Sequence, residues 1–197
     1  MVVIGIAGGV ASGKSLVTNQ LSELGAKVLD VDGLAHEVLL EPLVKSAIRD
    51  RWGSAVFDDA DNVDRTSLAG IVFAPHPGGP QELEHLERIT HPRIGERLRD
   101  WIRQLRDEGD VQVAVLDAAV MFKAGWHKAC DRILFVEASG EQRWARARQR
   151  GWTEAEFRSR EAAQEALDMK RQQADTVIDN SGTKEQTFEQ VKRFWTS

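Results

Sequence analysis

The eight residues from Gly8 to Ser15 carry the clearest chemical signal in this sequence. Their order matches a pattern in which four residues separate a glycine from Gly-Lys-Ser. Glycine permits backbone angles that turn amide N–H groups toward an anion, while Lys14 adds a mobile charge and Ser15 offers a hydroxyl to Mg²⁺. The pattern predicts a phosphate-binding loop for a nucleotide, most often ATP or GTP. We assign the nucleotide contacts to Gly8, Gly9, Val10, Ala11, Ser12, Gly13, Lys14, Ser15 and Leu16.

Acidic residues follow the second and third predicted strands. In an open α/β sheet, ligands bind at the carboxyl ends of the strands. Of Asp30 and Asp32, one could take a proton from an acceptor hydroxyl while the other helps to hold Mg²⁺ or a helix N-terminus; alternatively, Asp32 only caps a helix that begins at Gly33. Asp117 could act on Mg²⁺ through water and contribute to substrate binding, or could only cap a loop.

A proline separates two helical patterns at His91-Pro92-Arg93. Because proline suits the first turn of a helix, we expect a new helix to begin here. His91 and Arg93 would then lie near its N-terminus, where an anionic group of the substrate would bind. A purely structural role for the histidine is the alternative.

The densest basic segment lies between residues 143 and 160. It predicts either a mobile lid that brings arginines to a transferred phosphoryl group or a solvated helix face. Its arginines and the glutamates that could pair with them are Arg143, Arg146, Arg148, Arg150, Arg158 and Arg160, with Glu154, Glu156, Glu161 and Glu165. Further on, Asn180 could present its amide to a base edge or could serve a turn.

Apolar runs that alternate with helical periodicity predict an α/β fold with a mostly parallel sheet. The strands are predicted near 2–7, 26–30, 111–117, 132–137 and 175–178. The helices are predicted near 13–24, 33–41, 42–51, 65–73, 81–90, 93–107, 140–149, 154–172 and 184–195, with a loop at 74–80. Since no core strand is evident between the second and third strands, that block predicts a helical insertion.

Composition narrows the class of protein. The 197 residues are 42% hydrophobic and 29% charged, with a net charge of −5 and one cysteine, Cys130. These values predict a globular protein in a reducing cytoplasm, without an internal disulfide, and argue against nucleic acid as a partner. We expect no signal peptide and no membrane-spanning segment, because no suitable apolar run occurs.

Taken together and in order, these segments resemble the dephospho-CoA kinase family over nearly the whole chain. The Asp-x-Asp and Ile-Thr-His-Pro elements are specific to that family among P-loop kinases. The segments that carry the resemblance are 8–15, 29–37, 64–69 with 72–73, 86–94, 158–160 with Gln164, and 174–180.

The resemblance implies an adenylate-kinase-like P-loop NTPase fold with a parallel five-stranded sheet. It implies a core at about 1–32, 110–139 and 173–197, a helical CoA-side insertion at about 33–109, and a lid at about 140–172. It further implies that ATP, with Mg²⁺, phosphorylates the ribose 3′-hydroxyl of dephospho-CoA. We expect a monomer or a weak homo-oligomer.

The resemblance also implies roles for individual residues. Asp32 matches the general base, and Lys14 and Ser15 keep their roles in the loop. His91 and Arg93 face the acceptor. Arg143 and Arg150 lie in the lid, and Asn180 lies where such kinases approach adenine.

The chain departs from the family pattern at several positions. Ala119 and Lys123 replace a rigid turn and an acidic residue after the third strand, and Ala11 and Leu16 are unusual in the loop. The alternatives are therefore another small-molecule or nucleoside monophosphate kinase and a non-catalytic nucleotide-binding or CoA-binding relative. A regulatory GTPase is disfavoured, because the sequence contains no Asn-Lys-x-Asp element for guanine.

Overall fold

The computed structural model describes residues 1–74, 78–162, 164 and 166–196, with Asp32 described in its backbone alone. These residues form two compact units. The first unit comprises Met1–Asp30 and Ile102–Ser197, and the second comprises Val31–Trp101. The chain therefore leaves the first unit after its second strand and re-enters it within a long helix.

A parallel sheet lies at the centre of the first unit. Among the described residues its strands are β1 Val2–Gly8, β2 Lys27–Leu29, β3 Val113–Asp117, β4 Arg132–Glu137 and β5 Thr176–Asp179. Their order is β2-β3-β1-β4-β5, and every neighbouring pair is parallel, which confirms the predicted five-stranded sheet. Because parallel strands end on one edge, the loop after the central strand β1 is flanked by the ends of β3 and β4.

The helices of the described residues follow the predicted positions closely, with three exceptions. They are α1 Lys14–Glu23, α2 Val31–Leu39, α3 Pro42–Trp52, α4 Arg65–Val72, α5 Gly79–Glu108, α6 Gly140–Gln149, α7 Glu154–Ala162, α8 Leu167–Gln172 and α9 Lys184–Trp195. Apolar side chains of α1 and α9, such as Val17, Leu21 and Val191, are buried in the same core cluster as Ile4 and Ile6 of β1. This packing holds the start of α1, and so the end of the glycine loop, against the sheet.

The first exception is the predicted helix at 154–172, which was wrong. The chain forms α7 and α8 instead, with Gln164 between them, and Glu165 lies outside the described residues. Phe157 anchors α7 in an apolar cluster, whereas α8 buries Lys170 rather than an apolar residue. Helical propensity along 154–172 therefore did not produce one continuous helix, and the two shorter helices bury Phe157 and Lys170 in separate surroundings.

The second exception concerns Pro92, where the expected boundary between two helices was wrong. Helix α5 runs without a break through Pro92, so His91 and Arg93 lie in its middle and not at an N-terminus. Thr90, Ile94 and Leu98 are buried at intervals of four residues across the proline. A proline removes one backbone hydrogen bond, and burial of this continuous stripe offsets that local loss.

The third exception is the loop predicted at 74–80. Helix α5 begins at Gly79, so Gly79 and Pro80 belong to its first turn, where proline is tolerated. Residues 75–77 lie outside the described part of the chain.

In the stretches that the structure describes, no helix combines the length and the apolar character that crossing a membrane requires.

Candidate active site

The glycine loop between β1 and α1 has the backbone that its sequence predicts. Gly13 adopts φ +99°, and a Cβ there would lie 2.0 Å from Nδ2 of Asn180. Gly8 is equally constrained, since a Cβ would lie 2.7 Å from both the Ser12 hydroxyl and the Val136 carbonyl. Both positions therefore require glycine for reasons of space as well as backbone angle.

Ala11 is the unusual residue of this loop. It adopts φ +57°, in the left-handed region that side chains disfavour, and is 8% exposed. A non-glycine residue in that region costs roughly 1–2 kcal/mol. The buried contacts of the loop therefore hold a backbone angle that alanine alone would avoid.

Lys14 lies over the mouth of the loop. Its Nζ is 3.5 Å from the carbonyl oxygen of Gly8 and 3.4 Å from that of Gly9. Burial lowers the pKa of Lys14, Asp117 opposes that shift, and Arg150 adds to it. Ser15, the next residue, is exposed on the first turn of α1.

Asp117 joins this group from the neighbouring strand. It ends β3, pairs in register with Ile6 of β1, and accepts a hydrogen bond of 3.0 Å from the Thr18 hydroxyl. Sequence reasoning did not select Thr18. Its position one helical turn after Lys14, on the same face of α1, was the available signal.

The backbone carbonyl of Ser12 receives two side-chain hydrogen bonds. Asn180 Nδ2 donates to it at 2.7 Å, and Arg146 Nη1 donates to it at 2.8 Å. Arg146 Nη2 also donates to the Asn180 carbonyl at 2.6 Å, and the Thr187 hydroxyl donates to Asn180 Oδ1 at 2.9 Å. Asn180 is 3% exposed, so its amide supports the loop. A role toward the adenine base stays a prediction.

Arg146 was therefore the arginine that sequence reasoning underrated. It belonged to the basic cluster, but nothing in its neighbours distinguished it from Arg148, which is exposed. Its spacing was informative, since Arg143, Arg146 and Arg150 are three and four residues apart and share one helix face.

Arg143 and Arg150, the two predicted lid arginines, have different surroundings. Arg143 is 7% exposed, forms an ion pair with Glu161, and lies with its Nη1 3.5 Å from the carbonyl oxygen of Val10. Arg150 is exposed at the end of α6, and its charge reaches Lys14. Both lie within electrostatic range of the loop, one packed and one open to solvent.

Arg158 and Arg160, the two arginines of α7, are exposed on the surface of that helix. Arg158 pairs with Glu154 on α7, and Arg160 stacks over the Trp152 ring at 4.3 Å. For these two residues the solvated-face alternative describes the observed contacts.

In the second unit, Arg93 lies within a cluster of charged side chains. Its Nε donates to Glu41 Oε2 at 2.8 Å and Nη1 pairs with Glu96, while Arg97 Nε donates to Glu41 Oε1 at 3.0 Å. Burial raises the pKa of Glu41, but the hydrogen bonds and charges of Arg93 and Arg97 outweigh burial, so that the pKa is lowered. His91 is half-buried two residues away.

Asp32 is the second residue of α2, and its side chain lies outside what the structure describes. The alternative placed the start of this helix at Gly33, whereas the helix begins at Val31; the role of the Asp32 carboxylate stays a prediction. The backbone therefore places Asp32 on the first turn of a helix that directly follows β2.

The two departures after β3 have different environments. Ala119 lines a small cavity together with Lys14 and Gly8, whereas Lys123 is exposed. Of the two departures, Ala119 is therefore the one that lines the same cavity as residues of the glycine loop.

Comparison with known proteins gives a consistent result. The family model for dephospho-CoA kinase matches residues 2–186. A dephospho-CoA kinase from Corynebacterium jeikeium is 40% identical over 99% of this chain and 98% of its own length. A crystal structure of a Thermus thermophilus protein covers 99% of this chain and 96% of its own, with a TM-score of 0.79 and 30% identity. A dephospho-CoA kinase from Campylobacter jejuni, at 18% identity and a TM-score of 0.65, covers 98% of this chain and 95% of its own and shares the fold.

Proposed function

Since this chain belongs to the dephospho-CoA kinase family, we propose that its glycine loop holds ATP while Asp32 activates the acceptor hydroxyl. The enzyme is an ATP-dependent kinase that transfers the γ-phosphoryl group to the ribose 3′-hydroxyl of dephospho-CoA, which gives CoA and ADP. The observation that carries the residue assignments is the convergence of Lys14, Asp117 and the glycine loop at the carboxyl ends of β1 and β3.

Lys14 and the loop amides bind the phosphates. Lys14 is a compact charge whose ammonium already faces the loop carbonyls, and the start of α1 adds the positive end of its dipole. The hydrogen bonds of Arg146 and Asn180 hold the Ser12 peptide in place. The loop is therefore organised before the phosphates bind, which limits the reorganisation needed during transfer.

The oxygens near the loop fit Mg²⁺. Ser15 offers an exposed hydroxyl, and Asp117 offers a carboxylate next to β1. Magnesium is usually bound by one or two protein oxygens together with phosphates and water. Such a magnesium site does not need a cluster of three or more His, Cys, Asp or Glu side chains as metal ligands, and the described residues contain no such cluster. When bound, the ion neutralises charge on the β- and γ-phosphates.

Asp32 acts as the general base. The 3′-oxygen attacks the γ-phosphorus as its proton passes to the Asp32 carboxylate, and the bond to the β–γ bridging oxygen breaks to release ADP. The position of Asp32 at the start of α2, directly after a sheet strand, supports this assignment. General base catalysis of this kind contributes about 10²–10⁴-fold to a rate.

Segment 140–172 acts as the lid. Arg143 and Arg150 neutralise charge on the phosphates, and closure excludes water that would compete with the acceptor. The contact between Arg143 and the Val10 carbonyl and the influence of Arg150 on Lys14 support this role.

Helix α5 supplies the acceptor side. Arg93 and His91 bind anionic groups of dephospho-CoA, and Glu41 orients Arg93. We assign residues 33–109 to binding of the acceptor. The core comprises residues 1–32, 110–139 and 173–197. The protein acts in the cytoplasm as a monomer or weak homo-oligomer, without nucleic acid or membrane partners.

The decisive experiment measures ADP release from MgATP by the purified protein. Dephospho-CoA is the test acceptor, with AMP and adenosine as controls, and the product is identified as CoA. Turnover with dephospho-CoA, and with neither AMP nor adenosine, supports the proposal. Turnover with AMP would instead indicate a nucleoside monophosphate kinase, and ATP binding without turnover would indicate a non-catalytic relative.

A further inference from the structure

Thr18 is a buried polar residue on the helix that follows the glycine loop. It is 7% exposed and lies in α1, four residues after Lys14 and three after Ser15. Residues at these spacings share one face of a helix. The face of α1 that begins with the loop ammonium and the exposed Ser15 hydroxyl therefore continues inward to a second, buried hydroxyl.

The hydrogen bond of Thr18 leaves its own helix. A threonine inside a helix commonly donates to the carbonyl four residues earlier, as Thr90 does to Leu86 at 2.9 Å. Thr18 instead donates to Oδ2 of Asp117, 99 residues away in the sequence, at 3.0 Å. Tertiary structure therefore directs this hydroxyl to the carboxylate at the end of β3.

Asp117 lies where a carboxylate can act on the proposed phosphate site. It ends β3 in register with Ile6 of β1, and it is half-buried. Its charge acts on Lys14, whose pKa it raises against the larger lowering by burial. The carboxylate is thus bonded to α1 on one side and lies within electrostatic range of the loop lysine.

A hydrogen bond to one carboxylate oxygen restricts the orientation of the whole group. An aspartate side chain turns about two bonds, and ordering it only when a ligand binds weakens the binding. Carboxylates that bind metals are themselves hydrogen-bonded in most proteins, and losing such a partner lowers metal affinity about 10–100-fold. Because Mg²⁺ demands near-ideal geometry and keeps several waters, the orientation of Asp117 matters for a magnesium site.

We propose that Thr18 is a positioning residue that holds the Asp117 carboxylate in the orientation that Mg²⁺ requires. The inference rests on the kinase function and on the magnesium role of Asp117 proposed above. Thr18 acts through Asp117 and not on the reacting atoms.

The first test measures how strongly Mg²⁺ promotes nucleotide binding. Calorimetry gives the affinity of a non-hydrolysable ATP analogue with and without Mg²⁺ for the wild type, Thr18→Val and Thr90→Val. The control removes the hydroxyl of another buried helical threonine, whose bond stays within α5. We expect the enhancement by Mg²⁺ to fall about tenfold in Thr18→Val and to stay unchanged in Thr90→Val. Thr18→Ser, which keeps the hydroxyl, should restore it.

A hydrogen bond that only ties α1 to β3 would give a different result. Thr18→Val would then lower the melting temperature, and analogue binding would weaken equally with and without Mg²⁺ or would not change. Either pattern of binding would overturn the inference. If Thr18→Val does not fold, Thr18→Ala takes its place in the same comparison.

The second test is a double-mutant cycle between Thr18 and Asp117. Since Thr18 acts through the carboxylate, Thr18→Val should change the enhancement by Mg²⁺ less than about twofold in an Asp117→Ala background. A full tenfold loss in that background would overturn the inference, as would a wild type whose analogue binding does not respond to Mg²⁺. A wild type that responds to Mg²⁺ but does not phosphorylate dephospho-CoA would refute the proposed function, and the binding data would still decide the role of Thr18.

Discussion

In each of the two units, an acceptor group shared by two side chains lies among the residues proposed to bind ligands or to position them. In the first unit, Arg146 and Asn180 both donate to the backbone carbonyl of Ser12. This carbonyl is part of a loop fixed between β1 and α1, and Asn180 is 3% exposed. The acceptor does not titrate, and its position is set by the fold.

In the second unit, the shared acceptor is a side chain. Arg93 and Arg97 both donate to the carboxylate of Glu41, and the two arginine side chains are 38% and 50% exposed. A carboxylate is charged, titrates with pH, and moves with its own rotamer. The difference predicts that the glycine loop, the cradle in which we propose that the phosphates bind, is rigid, whereas the cations proposed to bind the acceptor can adjust their positions.

The largest expected effect is the loss of the proposed general base, Asp32. Asp32→Asn should lower kcat by about 10²–10⁴-fold, because the amide cannot accept the hydroxyl proton, and should leave ATP affinity unchanged. Steady-state kinetics and ATP binding measure the two quantities. Glu37→Gln, an exposed substitution on the same helix, should leave both unchanged. Full turnover by the Asn variant would exclude Asp32 as the base.

The next effect tests how rigid the cradle is. Gly13→Ala and Gly25→Ala both place a methyl group at a left-handed backbone angle, φ +99° and +106°. Each should lose roughly 1–2 kcal/mol of stability from backbone strain. At Gly25 no atom lies within 4 Å, whereas at Gly13 the new Cβ meets the Asn180 amide at 2.0 Å.

Gly13→Ala should therefore lose more stability than Gly25→Ala, by about 2 kcal/mol for a steric clash in a packed site, and it alone should lose ATP binding. Denaturant unfolding and ATP titration give the two readouts. Equal losses in both variants would mean that Asn180 moves aside freely, and the cradle would then be no more rigid than the acceptor side.

Asn180→Ala examines the shared carbonyl directly. Two hydrogen bonds disappear, so stability should fall by about 1–3 kcal/mol. If the side chain mainly supports the loop, affinities for ATP and GTP should both fall about tenfold. Thr187→Val, which removes the hydroxyl bonded to Asn180 Oδ1 and leaves the Ser12 contact in place, should have a smaller effect. A selective loss of ATP over GTP would instead assign Asn180 to the adenine base.

The sequence predicted the rigid part of the molecule better than the adjustable part. The glycine loop and the positions of the parallel strands follow from local patterns, namely Gly-Lys-Ser after an apolar run and strands that alternate with helices. Helix α5 did not, because Pro92 signals a break locally while the buried stripe at Thr90, Ile94 and Leu98 acts through tertiary packing. Contacts between distant residues, such as Arg146 with Ser12, leave no periodicity in the chain and could not be read from it.

The smallest expected effect concerns Glu41 and its pH dependence. The folded-state pKa of this carboxyl lies below its ordinary value of 4.5, because the Arg93 and Arg97 hydrogen bonds outweigh its burial. A lowered pKa means that the unfolded chain binds the proton more tightly. The stabilising contribution is therefore complete above about pH 4.5 and is lost as the pH falls through the folded-state pKa.

Glu41→Gln should remove that acid-dependent part of the free energy of unfolding, while Glu84→Gln, an exposed change on α5, should retain it. At neutral pH, Glu41→Gln should raise KM for dephospho-CoA by about three- to tenfold, since a reoriented arginine loses roughly one hydrogen bond, and should leave KM for ATP unchanged. A rise in both constants would mean that Glu41 supports the fold as a whole. The contrast between a rigid glycine loop and adjustable cations around Glu41 would then not hold.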